Sequence, residues 1–176
     1  IGNEPNFGPF YVARGHLLDQ VLGVDPTEDF RRAVATDPES WPLQIQLIRR
    51  LEQDGRWSEA LAALDVARER FPDEFNLDLF MAQALINVGR AQEATEILAA
   101  THVLPSENAR GSHGLHVQAH TLVAFDAMDA EDYGEARTHL LTALEWPELL
   151  GQGKPYEPEE RLVRLLLAKT EAHLGH

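Results

Sequence analysis

Three histidines, His113, His116 and His120, come nearest in type and spacing to a site that does chemistry. If their segment is helical, the spacing of three and four residues places all three on one face. From that face, imidazole nitrogens could bind Zn²⁺ or Ni²⁺. No Cys, Asp or Glu nearby completes a tetrahedral ligand set. We therefore expect no metal and no cofactor, and the three histidines remain the candidates for the alternative of a metal site.

A second candidate is the segment 151–155, Gly-Gln-Gly-Lys-Pro. Its glycines and Lys154 are typical of phosphate-binding loops, but the glycine spacing differs and no Ser or Thr follows the lysine. We interpret the segment as a rigid connector between two helices. No Ser/His/Asp or paired-carboxylate arrangement rises above the background of so acidic a chain. The sequence therefore predicts a protein that is not an enzyme.

The elements that position these residues follow a period of 34 residues. Gly55 and Gly89 are separated by this distance, and four further pairs keep it: Leu51 and Leu85, Ala60 and Ala94, Leu64 and Leu98, Pro38 and Pro72. A period of this length is typical of helix–turn–helix repeats. The glycines break the apolar stripes into pairs of helices, and the prolines end each pair.

This pattern predicts one domain, 1–176, with units at about 7–40, 41–74, 75–108 and 117–150 and a closing helix at 158–175. Ala94 and Ala136 are 42 residues apart, so about eight extra residues lie between them. We place these in a surface loop at 101–116. The predicted fold is all-α, a right-handed α-solenoid of antiparallel helix hairpins with about nine helices and no strands.

The second unit carries a turn glycine and five further positions that match the signature of the tetratricopeptide repeat (TPR): Gly55, Trp57, Ala60, Leu64, Ala67 and Pro72. The chain therefore resembles TPR proteins. The resemblance implies a TPR-like superhelix that works as a protein-binding scaffold.

A longer likeness rests on residues 9–14, 33–41, 105–110 and 146–161. They are similar to the C-terminal TPR region of large bacterial proteins, in which a β-rich domain of unknown function, similar to carbohydrate-active enzymes, precedes the repeats. The resemblance implies a non-catalytic module. Because the sequence begins at Ile1 rather than Met, we expect a fragment of a longer protein. No catalytic residue carries over, since that chemistry would lie outside this segment.

The charge balance narrows the class of partner. The chain has 29 acidic and 15 basic residues and a net charge of −14, which repels nucleic acid and anionic lipid. No apolar run approaches the ~18 residues that span a membrane. We expect a protein or peptide partner, a second copy or an adjacent N-terminal domain, and neither nucleic acid nor membrane. The absence of cysteine leaves the compartment open, with the cytoplasm favoured.

The concave face formed by the first helices is the usual ligand surface of such repeats. By position in the units, this groove contains nine residues: Tyr11, Ile45, Arg49, Gln53, Asn76, Gln83, Asn87, Phe125 and Lys169. The predicted function is a non-catalytic scaffold that binds a peptide or a partner domain there. The alternatives are an accessory helical module of a carbohydrate-active multidomain protein, a self-association module and the metal site.

Two further features of the sequence are apolar. The closing helix has five aliphatic residues in near-continuous succession, Leu162, Val163, Leu165, Leu166 and Leu167. We expect it to be packed on both sides or to contact something outside this chain. The three tryptophans, Trp41, Trp57 and Trp146, are spaced as repeat-core residues, and we expect them to be largely buried.

Overall fold

The computed structural model describes residues 7–104 and 111–175. These residues form helices and no strand, which confirms the predicted all-α, TPR-like helical repeat fold. There are nine α-helices in this part of the chain: α1 Gly8–Leu22, α2 Thr27–Thr36, α3 Trp41–Gln53, α4 Trp57–Arg70, α5 Phe75–Asn87, α6 Ala91–Ala100, α7 Ser112–Asp129, α8 Tyr133–Ala143 and α9 Arg161–Leu174. A short 3₁₀ helix, Glu148–Leu150, precedes α9.

The chain divides into two compact units, Ile1–Phe80 and Met81–His176, and the division falls within α5. The first unit contains α1 to α4, and the second contains α6 to α9. The predicted repeat boundaries and the right-handed superhelix stay predictions.

In the first unit, a glycine allows α1 to approach α2 closely. A Cβ atom at Gly15 would lie 3.2 Å from the Phe30 ring, so a larger residue would separate the helices. Arg14 on α1 forms an ion pair with Asp29 on α2. Phe30 then packs with Leu47 and other apolar residues of α3 and α4, which joins the four helices into one core.

Helix α2 begins at Thr27, after a turn that Asp25 stabilises. Asp25 Oδ1 accepts a hydrogen bond from the Thr27 backbone N–H at 2.9 Å and another from the Thr27 hydroxyl at 2.6 Å. The carboxylate thereby satisfies a backbone donor that the first helical turn leaves free. The helix ends at Thr36, two residues before Pro38.

The turn glycines adopt the left-handed conformation that the repeat pattern predicts. Gly55 has a φ of 69° and Gly89 a φ of 78°, a region that side chains with a Cβ atom rarely occupy. The residue after each glycine donates its N–H to the preceding helix, Arg56 to the Leu51 carbonyl oxygen at 2.8 Å and Arg90 to that of Leu85 at 2.9 Å. The two turns are therefore the same structure, repeated 34 residues apart.

In the second unit, α7, α8 and α9 share one core in which alanines set the helix spacing. Its buried residues are Ala124, Ala127, Ala136, Leu140, Ala143, Val163 and Leu166. The connector before α9 is tied to the segment after α6, because Val103 N–H donates to the Leu149 carbonyl oxygen at 2.8 Å. A Cβ atom at Gly151 would lie 2.5 Å from the Val103 oxygen, so only glycine fits there.

The structure corrects two predicted segments. Helix α9 begins at Arg161 rather than at residue 158, and Glu160 lies at its N-cap position. Residues 101–116 are not one surface loop, because α7 begins at Ser112, which is fully buried with its hydroxyl donated to the Leu150 carbonyl oxygen at 2.7 Å. Thr101 is also buried. Residues 105–110, on which the loop prediction also depends, lie outside the described residues.

Candidate partner-binding surfaces

The predicted groove residues lie on α1, α3, α5, α7 and α9. Tyr11 and Ile45 are buried, with 6 % and 5 % of their surfaces exposed, so neither side chain is open to a partner. Arg49, Gln53 and Lys169 are exposed. The latter three therefore remain candidates for contact with a partner.

The amide residues of α5 use part of their hydrogen-bonding capacity locally. Asn76 Nδ2 donates to Glu74 Oε1 at 2.6 Å, and Asn87 Nδ2 donates to the Gln83 backbone oxygen at 2.8 Å. Each amide keeps its carbonyl oxygen for another donor. Asn87 is exposed, whereas Asn76 and Gln83 are half-buried.

In the first unit, Arg49 and Gln53 line a pocket of about 180 Å³ together with Gln46, His16 and Arg50. The Arg49 guanidinium lies 5.5 Å from the centre of the Phe80 ring, a distance at which a cation interacts with an aromatic face. Within the described residues Arg49 forms no ion pair, whereas Arg50 is paired with Asp19 and Asp54. Arg49 is thus a cation with its hydrogen-bonding fork open.

A carboxyl beside Arg49 compensates its positive charge only in part. Burial raises the pKa of Glu52 to about 7, and the nearby Arg49 charge opposes that shift. Glu52 Oε1 is buried and has no hydrogen-bond partner among the described residues. At pH 7 the Glu52 carboxyl is therefore about half protonated, and the net charge beside Arg49 is more positive than the sequence indicates.

The second unit contains an open cleft of about 600 Å³ between α7 and α9, which we call the α7–α9 cleft. Its walls are mainly apolar and come from α7, α9 and the connector between α8 and α9. The residues that line it are His113, Gly114, Val117, Gln118, Thr121, Leu122, Phe125, Trp146, Gln152, Glu159, Leu162 and Val163. Phe125 is 40 % exposed and Leu162 is 58 % exposed, so both present apolar surface to whatever enters.

One end of the cleft is built by Trp146. The His113 ring stacks on the indole with a centroid distance of 3.4 Å. The Trp146 indole nitrogen and Gln152 Oε1 are buried without hydrogen-bond partners in the described part of the chain. Such unpaired groups are costly, and one is a donor and the other an acceptor.

The exposure of the tryptophans differs from the prediction. Trp41 is 38 % exposed, and Trp57 and Trp146 are half-buried. Trp41 is at the first position of α3, where only part of its ring can pack against the helix that it begins. The prediction of largely buried rings was therefore wrong for Trp41.

Among the described residues, helix α9 is packed on one side only. Val163 and Leu166 are buried in the core, whereas Leu162 and Leu165 are 58 % and 56 % exposed. The prediction that α9 is packed on both sides is therefore wrong, and contact with something outside this chain stays a prediction. The open face of α9 carries these two leucines beside exposed basic side chains, Arg161, Arg164 and Lys169.

The three predicted histidines lie on one face of α7, and their rings contact α8 and its C-terminal end. His113 Nε2 lies 3.1 Å from the Glu145 carbonyl oxygen, and His116 Nε2 lies 2.9 Å from that of Thr142. His120 Nδ1 lies 2.9 Å from His139 Nδ1. We call these four residues the histidine cluster. Their ring nitrogens contact three different partners and do not converge on one point.

Burial lowers the pKa of all three α7 histidines. The pKa of His120 falls to about 4, because desolvation is reinforced by the neighbouring His116 and His139. For His113 and His116, desolvation is again the largest cause, and hydrogen bonds to backbone oxygens oppose it. The three rings are therefore neutral at pH 7 and join α7 to α8. Among the residues described, no three or more His, Cys, Asp or Glu side chains are arranged so that they could hold a metal ion.

Sequence reasoning missed the residues that complete the α7–α9 cleft. Phe125 was assigned to the groove, but Leu162, Trp146 and Gln152 were not. Leu162 stands three residues before Leu165 on the open face of α9, a spacing that a helical plot of the closing helix can show. No comparable signal marks Trp146 or Gln152, because both lie in a connector whose path depends on tertiary contacts.

Comparisons with known proteins bear on only part of the chain. No helix in the described residues combines the length and apolar character that crossing a membrane requires. A search of curated proteins gave no match. Residues 51–102 match the family model described as tetratricopeptide repeat. This segment extends from the end of α3 through α6 and is similar to tetratricopeptide repeats. The turn geometry at Gly55 and Gly89 agrees with this similarity.

Proposed function

We propose that this protein is a non-catalytic interaction module that binds a protein or peptide through the first-helix faces of its hairpins, with the α7–α9 cleft as the principal contact. TPR repeats generally mediate protein–protein interaction, and residues 51–102 match that family. The observation that carries the proposal is the open apolar cleft along α7. Its volume lies in the range of sites that enclose a ligand.

The side chains of the cleft favour an apolar partner segment. Phe125 and Leu162 each keep about half of their surface in water. Covering that area stabilises a complex by about 1 kcal/mol for each residue, since full burial of such a side chain is worth about 1.5–3 kcal/mol. Gln118 and Gln152 supply amide groups among these apolar walls, and such groups fix the direction of a peptide backbone.

Arg49 supports a second contact within the first unit. Its open guanidinium fork fits a carboxylate, and Glu52, whose pKa is raised to about 7, competes for it less than a fully ionised carboxylate would. We propose that an acidic side chain or C-terminal carboxylate of the partner binds there. Gln53 in the same pocket adds an amide donor.

The experiment is a selection of binding peptides from a random library, followed by affinity measurements on variants. We expect selected peptides to be rich in apolar residues, and the double variant Phe125→Ala/Leu162→Ala to bind them at least about tenfold more weakly, which corresponds to about 1.4 kcal/mol. Leu141→Ala is the matched control, because Leu141 is 38 % exposed on α8 and does not line the cleft. Equal losses in the double variant and the control would contradict the proposal.

A second double variant tests the wider groove. Arg49→Glu with Asn87→Ala should leave the melting temperature nearly unchanged, because both residues are exposed and such substitutions shift stability by only ~0.5 kcal/mol. It should weaken binding of peptides that contain a carboxylate, and Glu69→Ala on α4 is the control. A large loss of stability would mean that these residues serve packing. Attachment to a carbohydrate-active domain, as the likeness to large bacterial proteins implies, stays a prediction.

A further inference from the structure

We propose that two copies of this chain associate through an apolar stripe on the outer face of α1. The stripe consists of Phe10, Ala13, Leu17 and Val21, which recur on one side of the helix. Phe10 is 41 % exposed, Leu17 60 % and Val21 67 %. We call this surface the α1 stripe.

Helix α1 is apolar on the side that faces water as well as on the side that is packed. Gly8, Tyr11 and Gly15 are its buried residues. A surface helix normally carries polar side chains opposite its packed face, and a helix that is apolar all round is normally buried. Phe7 and Val24, 61 % and 47 % exposed, extend the apolar surface beyond both ends of α1. The second face of α1 therefore has the composition of an interface.

The charges of α1 are held in ion pairs within the first unit. Its only charged side chains other than histidine are Arg14 and Asp19, which pair with Asp29 and Arg50 respectively. Arg14 borders the stripe, with its guanidinium 5.8 Å from the centre of the Phe10 ring, and His16 lies edge-on to Phe30. The stripe thus presents no acidic group, although the chain carries a net charge of −14.

The lack of acidic groups is why a second copy fits the α1 stripe. Two copies of so acidic a chain repel each other, and an interface between them must not bring like charges together. A twofold axis through Leu17 places apolar side chains on apolar side chains, with Arg14 held in its ion pair with Asp29, which makes the surface complementary to itself. The open face of α9 is a poorer choice, since it carries the ion pairs Arg161–Glu159 and Arg164–Glu160, and pairing α9 with itself would remove these charges from water.

The size of the stripe sets the expected strength. The three large side chains of the stripe, together with Phe7 and Val24 beyond its ends, are each about half exposed. These five would bury on the order of 500 Å² per copy, near the lower limit of about 1,000 Å² in total for a specific interface. We therefore expect a dimer with a dissociation constant in the micromolar range. Salt should strengthen the dimer, because it screens the repulsion between the two acidic chains and has no interfacial ion pair to weaken.

The test is the molar mass measured by sedimentation or light scattering from low to several hundred micromolar protein. The unaltered chain should change from monomer to dimer, at lower concentration in higher salt. Leu17→Glu with Val21→Glu should stay monomeric, with its helix content checked by circular dichroism. Val66→Glu is the matched control, because Val66 on α4 is 57 % exposed in the same unit, and it should dimerise normally.

A crosslink tests the geometry without introducing charge. The chain has no cysteine, so Leu17→Cys provides one thiol, and a twofold axis near Leu17 would allow an interchain disulfide to form on mild oxidation. Val66→Cys should crosslink far more slowly. A chain that remains monomeric at the highest concentration overturns the proposal. So does a dimer that Val66→Glu abolishes as readily as the stripe variant, or equal crosslinking of the two cysteine variants.

Discussion

The α3–α4 hairpin and the α7–α8 hairpin have the same turn but reach it with different residues. Gly55 and Glu131 both have a positive φ, 69° and 60°, and Glu131 is the one residue other than glycine with this conformation in the described ranges. In both turns the next N–H bonds to the preceding helix at 2.8 Å, from Arg56 to Leu51 and from Asp132 to Ala127. The left-handed turn therefore does not require a glycine.

The contacts at the start of the second helix differ between the two hairpins. After Gly55, Arg56 forms an exposed, two-pronged ion pair with Glu59, which adds little to stability. After Glu131, Asp132 caps α8 by accepting a hydrogen bond from the Glu135 N–H at 2.9 Å. We infer that this cap offsets the strain that Glu131 introduces.

The two hairpins also differ in what joins their helices. Leu47, Leu51 and Ala60 connect α3 to α4 through apolar contacts, whereas the histidine cluster lines part of the contact between α7 and α8. Apolar contacts do not titrate, and imidazoles do. The same backbone arrangement can therefore be stable over different ranges of pH.

The largest expected effect is a loss of protection in α7–α8 on acidification. The folded pKa of His120 is about 4, below the unfolded value of 6.5, so the unfolded chain binds more protons between these values. Stability from the cluster is fully present above about pH 6.5 and falls as the pH drops toward 4. Amide hydrogen exchange, corrected for intrinsic rates, should show α7–α8 opening more readily near pH 5 than near neutrality.

The α3–α4 hairpin should respond in the opposite direction. Glu52 has a folded pKa of about 7, above its ordinary 4.5, so its contribution is fully present below about pH 4.5 and is lost as the pH rises through 7. His120→Leu should make the stability of α7–α8 less dependent on pH. Glu52→Gln should do the same for α3–α4. An unchanged pH response of α7–α8 in His120→Leu, or of α3–α4 in Glu52→Gln, would contradict the assignment.

The next effect is the strain of a β-branched residue in a left-handed turn. Gly55→Val and Gly89→Val should each lower the free energy of unfolding by more than about 1 kcal/mol. Neither glycine has an atom closer than 3.9 Å to the position of an added Cβ, so the cost would come from the backbone and not from a clash. Denaturant unfolding measures it, and near-native stability of both variants would show that the repeat register is wrong.

A smaller effect is expected from the cap that distinguishes the α7–α8 turn. Asp132→Ala removes the acceptor of the Glu135 N–H and should cost about 1 kcal/mol. Glu59→Ala in α3–α4 removes only exposed ion pairs, those with Arg56 and Arg31, and should cost less than Asp132→Ala. Equal losses in the two variants would mean that the cap does not compensate for the turn.

The smallest change should be a gain. Glu131→Gly removes the strain of a positive φ, worth about 1–2 kcal/mol, but glycine also adds freedom to the unfolded chain, which costs about 0.4–1 kcal/mol. We expect a net stabilisation of about 0.5 kcal/mol by denaturant unfolding. A loss of stability would show that the Glu131 side chain contributes contacts that outweigh its backbone strain.

Much of the fold could be predicted because it depends on local spacing. The period between Gly55 and Gly89 located two turns, and apolar stripes located the helices. The α7–α8 turn carries no glycine, so only the alignment of Ala94 with Ala136 indicated that hairpin. The start of α7 was misplaced because Gly111 and Gly114 suggest a turn, whereas the buried Ser112 is held there by the distant Leu150 carbonyl.

Only part of the candidate site could be predicted from the sequence. Phe125 and Arg49 follow from position in a repeat, and both remain in the proposed contacts. Tyr11 also follows from position, but the structure places it in a core cluster with Ala33 and Leu43. Burial depends on residues far apart in sequence, which a repeat pattern does not contain.

The proposed function is tested most directly by hydrogen exchange of the chain with and without a selected peptide. We predict slower exchange over Ser112–Asp129 and Arg161–Leu174, the helices that form the α7–α9 cleft, and little change in α8 beyond its contact with them. Phe125→Ala/Leu162→Ala should abolish this protection at the same peptide concentration. Protection confined to α4, α6 or α8 would place the binding surface on the second helices and contradict the proposal.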